Sequence, residues 1–402
     1  LASGVTVALK SNGQVEAVAA TGGGQGTGTP VVFEDANVNS LSSAFDSSNN
    51  KIVIGYRDLG NSSYGTAVVG TVSGTSISFG SPVVFKAGNA ANITATFDSN
   101  ANKVVISWSD TGNGYYGTSI VGTVSGTSIS FGTAVIFKSA FVLPYSRSST
   151  FDSNSNKVVI AYRDVGNSGE AVVGTVSGTS ISFGTPVVYD ANDVNFVAAT
   201  FDSNGVIVIG YRDSGNSGYG TAVVGTVSGT SISFGSAVVF NAADLSQQLA
   251  IASDSNSNKT IFMYADVGNS YYGTAIVGTV SGTSISFGSE SVFVNHAGNA
   301  DLQIAAAFDT NLNKVSIAYI DYTNSGYSTT VLGTVSGTSI SFGTPLVYEQ
   351  STVTYQAAVF DSAANNVVIS YNKSVGTSSV YTTSGSNSAD FIGITDEAIS
   401  SA

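Results

Sequence analysis

An eleven-residue phrase, Gly-Thr-Val-Ser-Gly-Thr-Ser-Ile-Ser-Phe-Gly, runs from Gly70 to Gly80 and returns without a substitution from Gly122, Gly174, Gly225, Gly278 and Gly333. The intervals are 52, 52, 51, 53 and 55 residues. A period of that length is one supersecondary unit, which can bury its apolar faces only against its neighbours. The 402 residues therefore read as one stacked or closed assembly, not as the two or three domains that length alone suggests.

Each unit opens with a strand ending in Phe-Asp-Ser or a close variant, and the Asp residues Asp46, Asp98, Asp152, Asp202, Asp254, Asp309 and Asp361 mark seven starts. A polar turn leads to a second strand, residues 51–56 in unit 1, whose near-continuous apolar run argues burial on both faces. A loop from Asp58 to Gly65 joins it to a third strand over 66–72. The turn Ser73-Gly74-Thr75 then starts a fourth strand, Ser76 to Gly80 followed by Pro82-Val83-Val84-Phe85. Four of the five prolines, Pro30, Pro82, Pro186 and Pro345, fall in this fourth strand, and proline is confined to sheet edges because it has no N–H to donate. The fourth strand is therefore the outer edge.

Seven units of four antiparallel strands predict an all-β chain, a seven-bladed β-propeller. Unit 7 has three strands, over 354–360, 366–371 and 377–383, and no copy of the phrase. The missing edge, Thr29-Pro30-Val31-Val32-Phe33, stands at the other end of the chain. The last blade is thus expected to be closed by an N-terminal strand, leaving no open edge. The expected division is a hairpin and linker over 1–27, with a turn at Ser11-Asn12-Gly13, the propeller over 28–384, and a linker to further structure over 385–402. With no initiator Met and no signal pattern at Leu1, the chain reads as a processed or excised piece of a longer protein.

Charge is sparse and acidic, 26 Asp plus Glu against 13 Lys plus Arg, so a nucleic-acid partner, which needs clustered cations, is not expected. No apolar run approaches the roughly 18 residues that span a bilayer, and no membrane insertion is expected. With no Cys there are no disulfides or thiolate metal sites.

Function belongs where the repeats diverge. The first-to-second and third-to-fourth turns recur almost verbatim, whereas the connectors after Phe33, Phe85, Phe137, Tyr189, Phe240, Phe293 and Tyr348 all differ. A constant frame with divergent loops fits a binding surface or merely unconstrained loops. Aromatic residues on that face, Phe141, Tyr145, Phe196 and Tyr355, favour binding. Tyr-Arg-Asp ends the second strand at Arg57, Arg163 and Arg212, and Trp108 replaces the Tyr in unit 2. Arginine forks and aromatic rings are groups that hold sugars. The Asp of this motif recurs in six units and is read as the cap of its own loop, while each Arg could hold a ligand or bridge to a neighbouring unit. The candidate ligand-binding residues are therefore Arg57, Trp108, Tyr145, Arg163, Phe196, Arg212 and Tyr355.

Asp152-Ser-Asn-Ser-Asn156 and Asp254-Ser-Asn-Ser-Asn258 resemble the first half of a calcium loop but lack its Gly and distal Glu. They are read as Asx turns; no cofactor or metal is expected, calcium being the alternative at these turns. The single His, His296, has no partner that would make a catalytic pair, so no catalytic residue is assigned.

The phrase, with Phe-Asp-Ser-Asn-x-Asn-Lys-Val-Val-Ile-x-Tyr-Arg-Asp, resembles repeats in large propeller proteins of marine bacteria and their phages. Phe391-Ile-Gly-Ile394 and the residues after it look like the segment that follows such repeats. The resemblance implies a tail-fibre or surface-adhesin role. The expected function is a non-enzymatic module, extracellular, at a cell surface or on a virion, that recognises cell-surface polysaccharide or glycoprotein through the variable connector face. The alternatives are a structural spacer or filament subunit, whose partner is its own copy in a homo-oligomer, and a glycan-cleaving enzyme.

Overall fold

The computed structural model describes residues 7–9, 15–17, 25–143, 146–295 and 302–382. Within unit 1 the strands Val38–Asp46, Lys51–Asp58, Tyr64–Ser73 and Ser76–Phe79 pair antiparallel in chain order. The order recurs in the later units, giving an all-β chain of antiparallel sheets with four or more strands. Among the described residues the helix is limited to single 3-10 turns, such as Thr111–Asn113. The second strands are buried nearly end to end, as their apolar runs require.

The fourth strand is not continuous. Its halves, Ser76–Phe79 and the segment from Val83, pair with the same third strand, but residues 80–82 stand opposite only Val68 and Val69. Pro82 sits in this bulge, where no ladder bond is lost, and the Gly80 N–H donates to the Val69 carbonyl at 2.9 Å. In two places the connector is itself strand: Val83–Asp98 and Val238–Asp254 run from the edge of one unit into the first strand of the next.

Neighbouring units are joined by a ring that crosses between sheets. The aromatic closing each fourth strand packs against the second-strand aromatic of the following unit and, where that unit has the phrase, against its Phe. Phe85 meets Trp108 at 5.2 Å and Phe131 at 5.7 Å, and Phe137 meets Tyr162 at 5.4 Å and Phe183 at 5.5 Å. Phe33, near the N-terminus, makes the same contacts with Tyr56 and Phe79 of unit 1 at 5.2 and 5.6 Å. Its own strand, Val31–Glu34, and Gly26–Thr27 pair with Gly376–Thr382 of unit 7. The sheet thus begins two residues before the expected boundary at 28. The first strands touch in succession, and Thr354–Asp361 of unit 7 touches Val38–Asp46 of unit 1.

Val7–Leu9 and Val15–Ala17 pair as the expected hairpin. Its turn, and the segment with Phe391 and Ile394, lie outside the described residues.

Second-strand tyrosines bury their hydroxyls on carboxylates: Tyr56 donates to Glu34 at 3.0 Å, Tyr162 to Glu170 at 2.7 Å and Tyr211 to Asp190 at 2.8 Å. Burial, and secondarily the adjoining carboxylate, pushes their ionisation far above the ordinary phenol range.

Two outcomes follow. Phe33→Ala should destabilise the protein by about 3–5 kcal/mol, as much as Phe137→Ala, because both empty the same kind of inter-unit slot. A denaturant midpoint left unmoved by Phe33→Ala would mean that the N-terminal strand does not join unit 7 to unit 1. The tyrosines set the alkaline limit. Their folded values lie above the unfolded value of 10.0, so the stability they contribute is intact below that pH and is lost as pH rises past it. Each should cost about 1.4 kcal/mol per pH unit, outnumbering Arg147, whose lowered value acts in the opposite sense. Calorimetric melting temperatures should therefore be flat from about pH 7 to 9 and fall steeply above about 10.

Candidate functional site

Counting back six residues from the Asp that ends each first strand reaches Ser40, Asn92, Ser146, Phe196, Gln248, Gln303 and Tyr355. Six of these, all except Ser146, adopt left-handed backbone with φ between 49° and 90°. In several units the pairing register shifts here, between Asn39 and Ser42 in unit 1, between Asn195 and Ala198 in unit 4, and between Thr354 and Ala357 in unit 7. The cause is a β-bulge near the connector end of the first strand, which re-aims one side chain in each of those units.

These bulges surround a cavity of about 690 Å³. Its wall alternates the re-aimed residues with the apolar side chains that follow them, Leu41, Ile93, Val197, Leu249 and Ile304, and is completed by Thr354 and Gln356. Side chains knit the wall across units. The Asn92 N–H donates to Ser40 Oγ at 3.1 Å, Phe196 N–H to Ser146 Oγ at 3.3 Å, and Tyr355 N–H to Gln303 Oε1 at 2.8 Å. Gln356 Nε2 donates to the Gln303 carbonyl at 2.7 Å.

Left-handed backbone costs a residue with a Cβ roughly 1–2 kcal/mol, and glycine would avoid that cost. None of the six is Gly, and two, Phe196 and Tyr355, are bulky. Strain concentrated in one ring around one cavity marks a place where side chains are retained for what they present. Gln248→Gly should accordingly leave the melting temperature unchanged or raise it, by up to about 1 kcal/mol of stability, whereas the β-branched Gln248→Val should lower it.

The predicted site residues separate. Phe196 and Tyr355 lie in the cavity wall. Arg57, Arg163 and Arg212 do not line it. Arg57 donates to Ser63 Oγ in its own loop at 3.3 Å. Arg163 pairs with Asp193 at 2.8 Å and donates to Asn195 in the first strand of unit 4, and Arg212 pairs with Asp244 at 2.6 Å in the segment leading to unit 5. These two bridge to neighbouring units. Trp108 is 1% exposed and takes the core place of the other units' tyrosines, so as folded it cannot meet a ligand. Pro144, Tyr145 and His296 lie outside the described residues.

The conserved-pattern aspartates cap turns. Asp58 Oδ1 accepts from the Asn61 N–H and Asp213 Oδ1 from Asn216 N–H, both at 3.0 Å. At the calcium-like turns, Asp152 accepts from the N–H groups of Asn154 and Ser155 and from Ser155 Oγ, and Asp254 is used in the same way, which is Asx-turn geometry.

Sequence reasoning passed over Asn92, Gln248, Gln303 and Gln356. The signal was present: aligned on the Asp that ends each first strand, the position six residues earlier changes chemistry in almost every unit while the one after it stays mostly apolar.

One further side chain abuts the cavity wall. Arg147 occupies in unit 3 the register place of Leu41 and Ile93, is 5% exposed, and turns its guanidinium towards unit 2. It donates to Ser109 Oγ at 3.1 Å, the Ala91 carbonyl at 3.2 Å and the Ser107 carbonyl at 3.4 Å.

No protein-family model matches the chain, and no curated protein sequence does. Among solved structures it is similar to the lectin SapL1 in complex with α-methyl fucoside, at 12% identity over 78% of this chain and 97% of that one, with a TM-score of 0.45. A mutant of the Aleuria aurantia lectin AAL in complex with Fucα1-6GlcNAc matches at 13% identity over 79% and 98%, with a TM-score of 0.49. A mutant of AofleA from Arthrobotrys oligospora matches at 8% identity over 70% and 78%, with a TM-score of 0.47.

Proposed function

We propose that the chain is a non-enzymatic carbohydrate-binding module, a seven-bladed β-propeller whose axial cavity takes a saccharide of a cell-surface polysaccharide or glycoprotein. The propeller reading is supported by the succession of first-strand contacts, which returns from unit 7 to unit 1, and by the Phe33 contacts across that seam. The resemblance of the repeats to those of marine bacterial and phage proteins supports a position outside the cell, on a cell surface or a virion.

The observation that carries the binding role is the ring of strained, non-glycine residues around the cavity. Its chemistry suits a sugar. The rings of Phe196 and Tyr355 offer surfaces for the apolar face of a pyranose, and the amides of Asn92, Gln248, Gln303 and Gln356 offer donors and acceptors for hydroxyls. The volume lies within the range of small-molecule sites. Among the described lining residues there is no carboxylate or imidazole to serve as acid or base, which favours binding over glycan cleavage.

A second reading, a self-assembling structural subunit, is favoured by the outer edges, where Val32, Val84, Ile136, Val188, Val239 and Val292 are each exposed at the same place in the repeat. Concentration-dependent sedimentation into ordered polymers would support it.

Glycan-array screening followed by titration of the hits tests the first reading. Phe196→Ala and Tyr355→Ala should each weaken binding about tenfold or more, equivalent to about 1.4 kcal/mol, with the fold intact by circular dichroism. Affinity unchanged in the double variant would remove the axial cavity as the site.

A further inference from the structure

The described wall of the axial cavity differs in charge from the chain as a whole. The protein carries a net charge of −13, yet the described cavity wall contains no carboxylate. The formal charge against that wall is the Arg147 guanidinium, whose acceptor Ala91 immediately precedes the wall residues Asn92 and Ile93.

Arg147 differs from the paired cations. Lys86 pairs with Asp110, Lys138 with Glu170, Arg163 with Asp193, Arg212 with Asp244 and Lys373 with Glu349. Arg147 is buried, its bonds go only to a hydroxyl and two carbonyls, its Nε has no partner, and among the described residues no carboxylate pairs with it. Burial alone pushes its ionisation down to about 9, with no neighbouring anion to offset the lost hydration, and it remains a cation at neutral pH. An unneutralised charge in a low-dielectric interior projects its field much further than a solvated or paired one.

A second observation points the same way. Asn92 Nδ2, in a residue of the cavity wall, is buried and has no hydrogen-bond partner. A buried donor left unmade is costly, and a ligand acceptor would satisfy it.

Resting on the glycan reading above, we infer that the axial cavity selects an acidic saccharide, one carrying a carboxylate or a sulfate ester. The anion lies against the wall of unit 2, accepts a hydrogen bond from Asn92 Nδ2, and balances the charge of Arg147 from across that wall. The guanidinium acts through the field and does not touch the ligand. Its burial keeps the selection effective in salt, because a pair shielded from solvent is little screened.

The test is titration by ligand-observed nuclear magnetic resonance of the full chain with glucuronate, galactose 6-sulfate, glucose and galactose, at low and at physiological salt. One or both acidic sugars should bind at least tenfold more tightly than its neutral counterpart, and which of them does so distinguishes carboxylate from sulfate. Arg147→Met should reduce that preference to below about threefold. Asn92→Asp, a change in the cavity wall that spares the buried guanidinium, tests the same point independently of whether Arg147→Met folds. It should weaken the acidic sugar at least tenfold more than it weakens the neutral one. Equal affinity for acidic and neutral sugars in the native protein would overturn the inference while leaving the glycan reading standing. Failure of every sugar to bind would overturn both.

Discussion

An aromatic ring that leaves its own sheet and enters the next is the contact on which the rest of this structure depends. Phe85 wedges between Trp108 and Phe131 of the following unit, and Phe33 does the same to unit 1 from the edge of unit 7. Two glycines make that transfer feasible. At Gly65 a Cβ would come within 2.5 Å of the Phe85 ring, and at Gly80 it would fall on the carbonyl of Thr127 in the next unit. The same clashes recur at Gly117 with Phe137 and at Gly132 with Thr179, and Gly28 of the N-terminal strand meets Thr75 of unit 1. The Gly that ends the phrase is thus required, in the copies that another copy follows, by backbone contact between sheets, where no side chain fits.

That rigid stacking allows the inner ends of the sheets to carry strain. Six left-handed residues and the displaced register around them are unfavourable locally. They are held because the same first strands pair with buried second strands and exchange hydrogen bonds between units, as Ser40, Ser146 and Gln303 do with the units that follow them. The frame and the cavity are therefore one design: identical outer halves fix the positions, and one aimed residue per unit varies what those positions present.

Much of this was legible in the chain itself. The period, the strand order, the edge position of the prolines and the split last sheet all follow from spacing and from the chemistry of Gly and Pro. The aspartate caps were equally readable, because an Asp followed by Gly-Asn-Ser has a local use for its oxygens. The site was only half legible. Phe196 and Tyr355 stand out as aromatics in divergent segments and do line the cavity, but Asn92, Gln248 and Gln303 look like ordinary loop amides until the left-handed backbone turns them towards the cavity. Trp108 misleads for the converse reason. Its rarity suggests a ligand surface, while its register place is that of a core tyrosine.

What the sequence determines alone is the unit and its repetition, since alternation of apolar residues, glycine and proline placement and turn chemistry act over a few residues and need no partner. Tertiary structure alone decides where the arginines go. Arg57, Arg163 and Arg212 share a motif, yet one serves its own loop and two bridge to the next unit, because the acceptors in reach belong to different connectors. It also decides that Arg147, with no motif around it, is buried behind the cavity wall with no carboxylate partner among the described residues. Charge and burial are properties of packing between units, and no spacing within one unit records them.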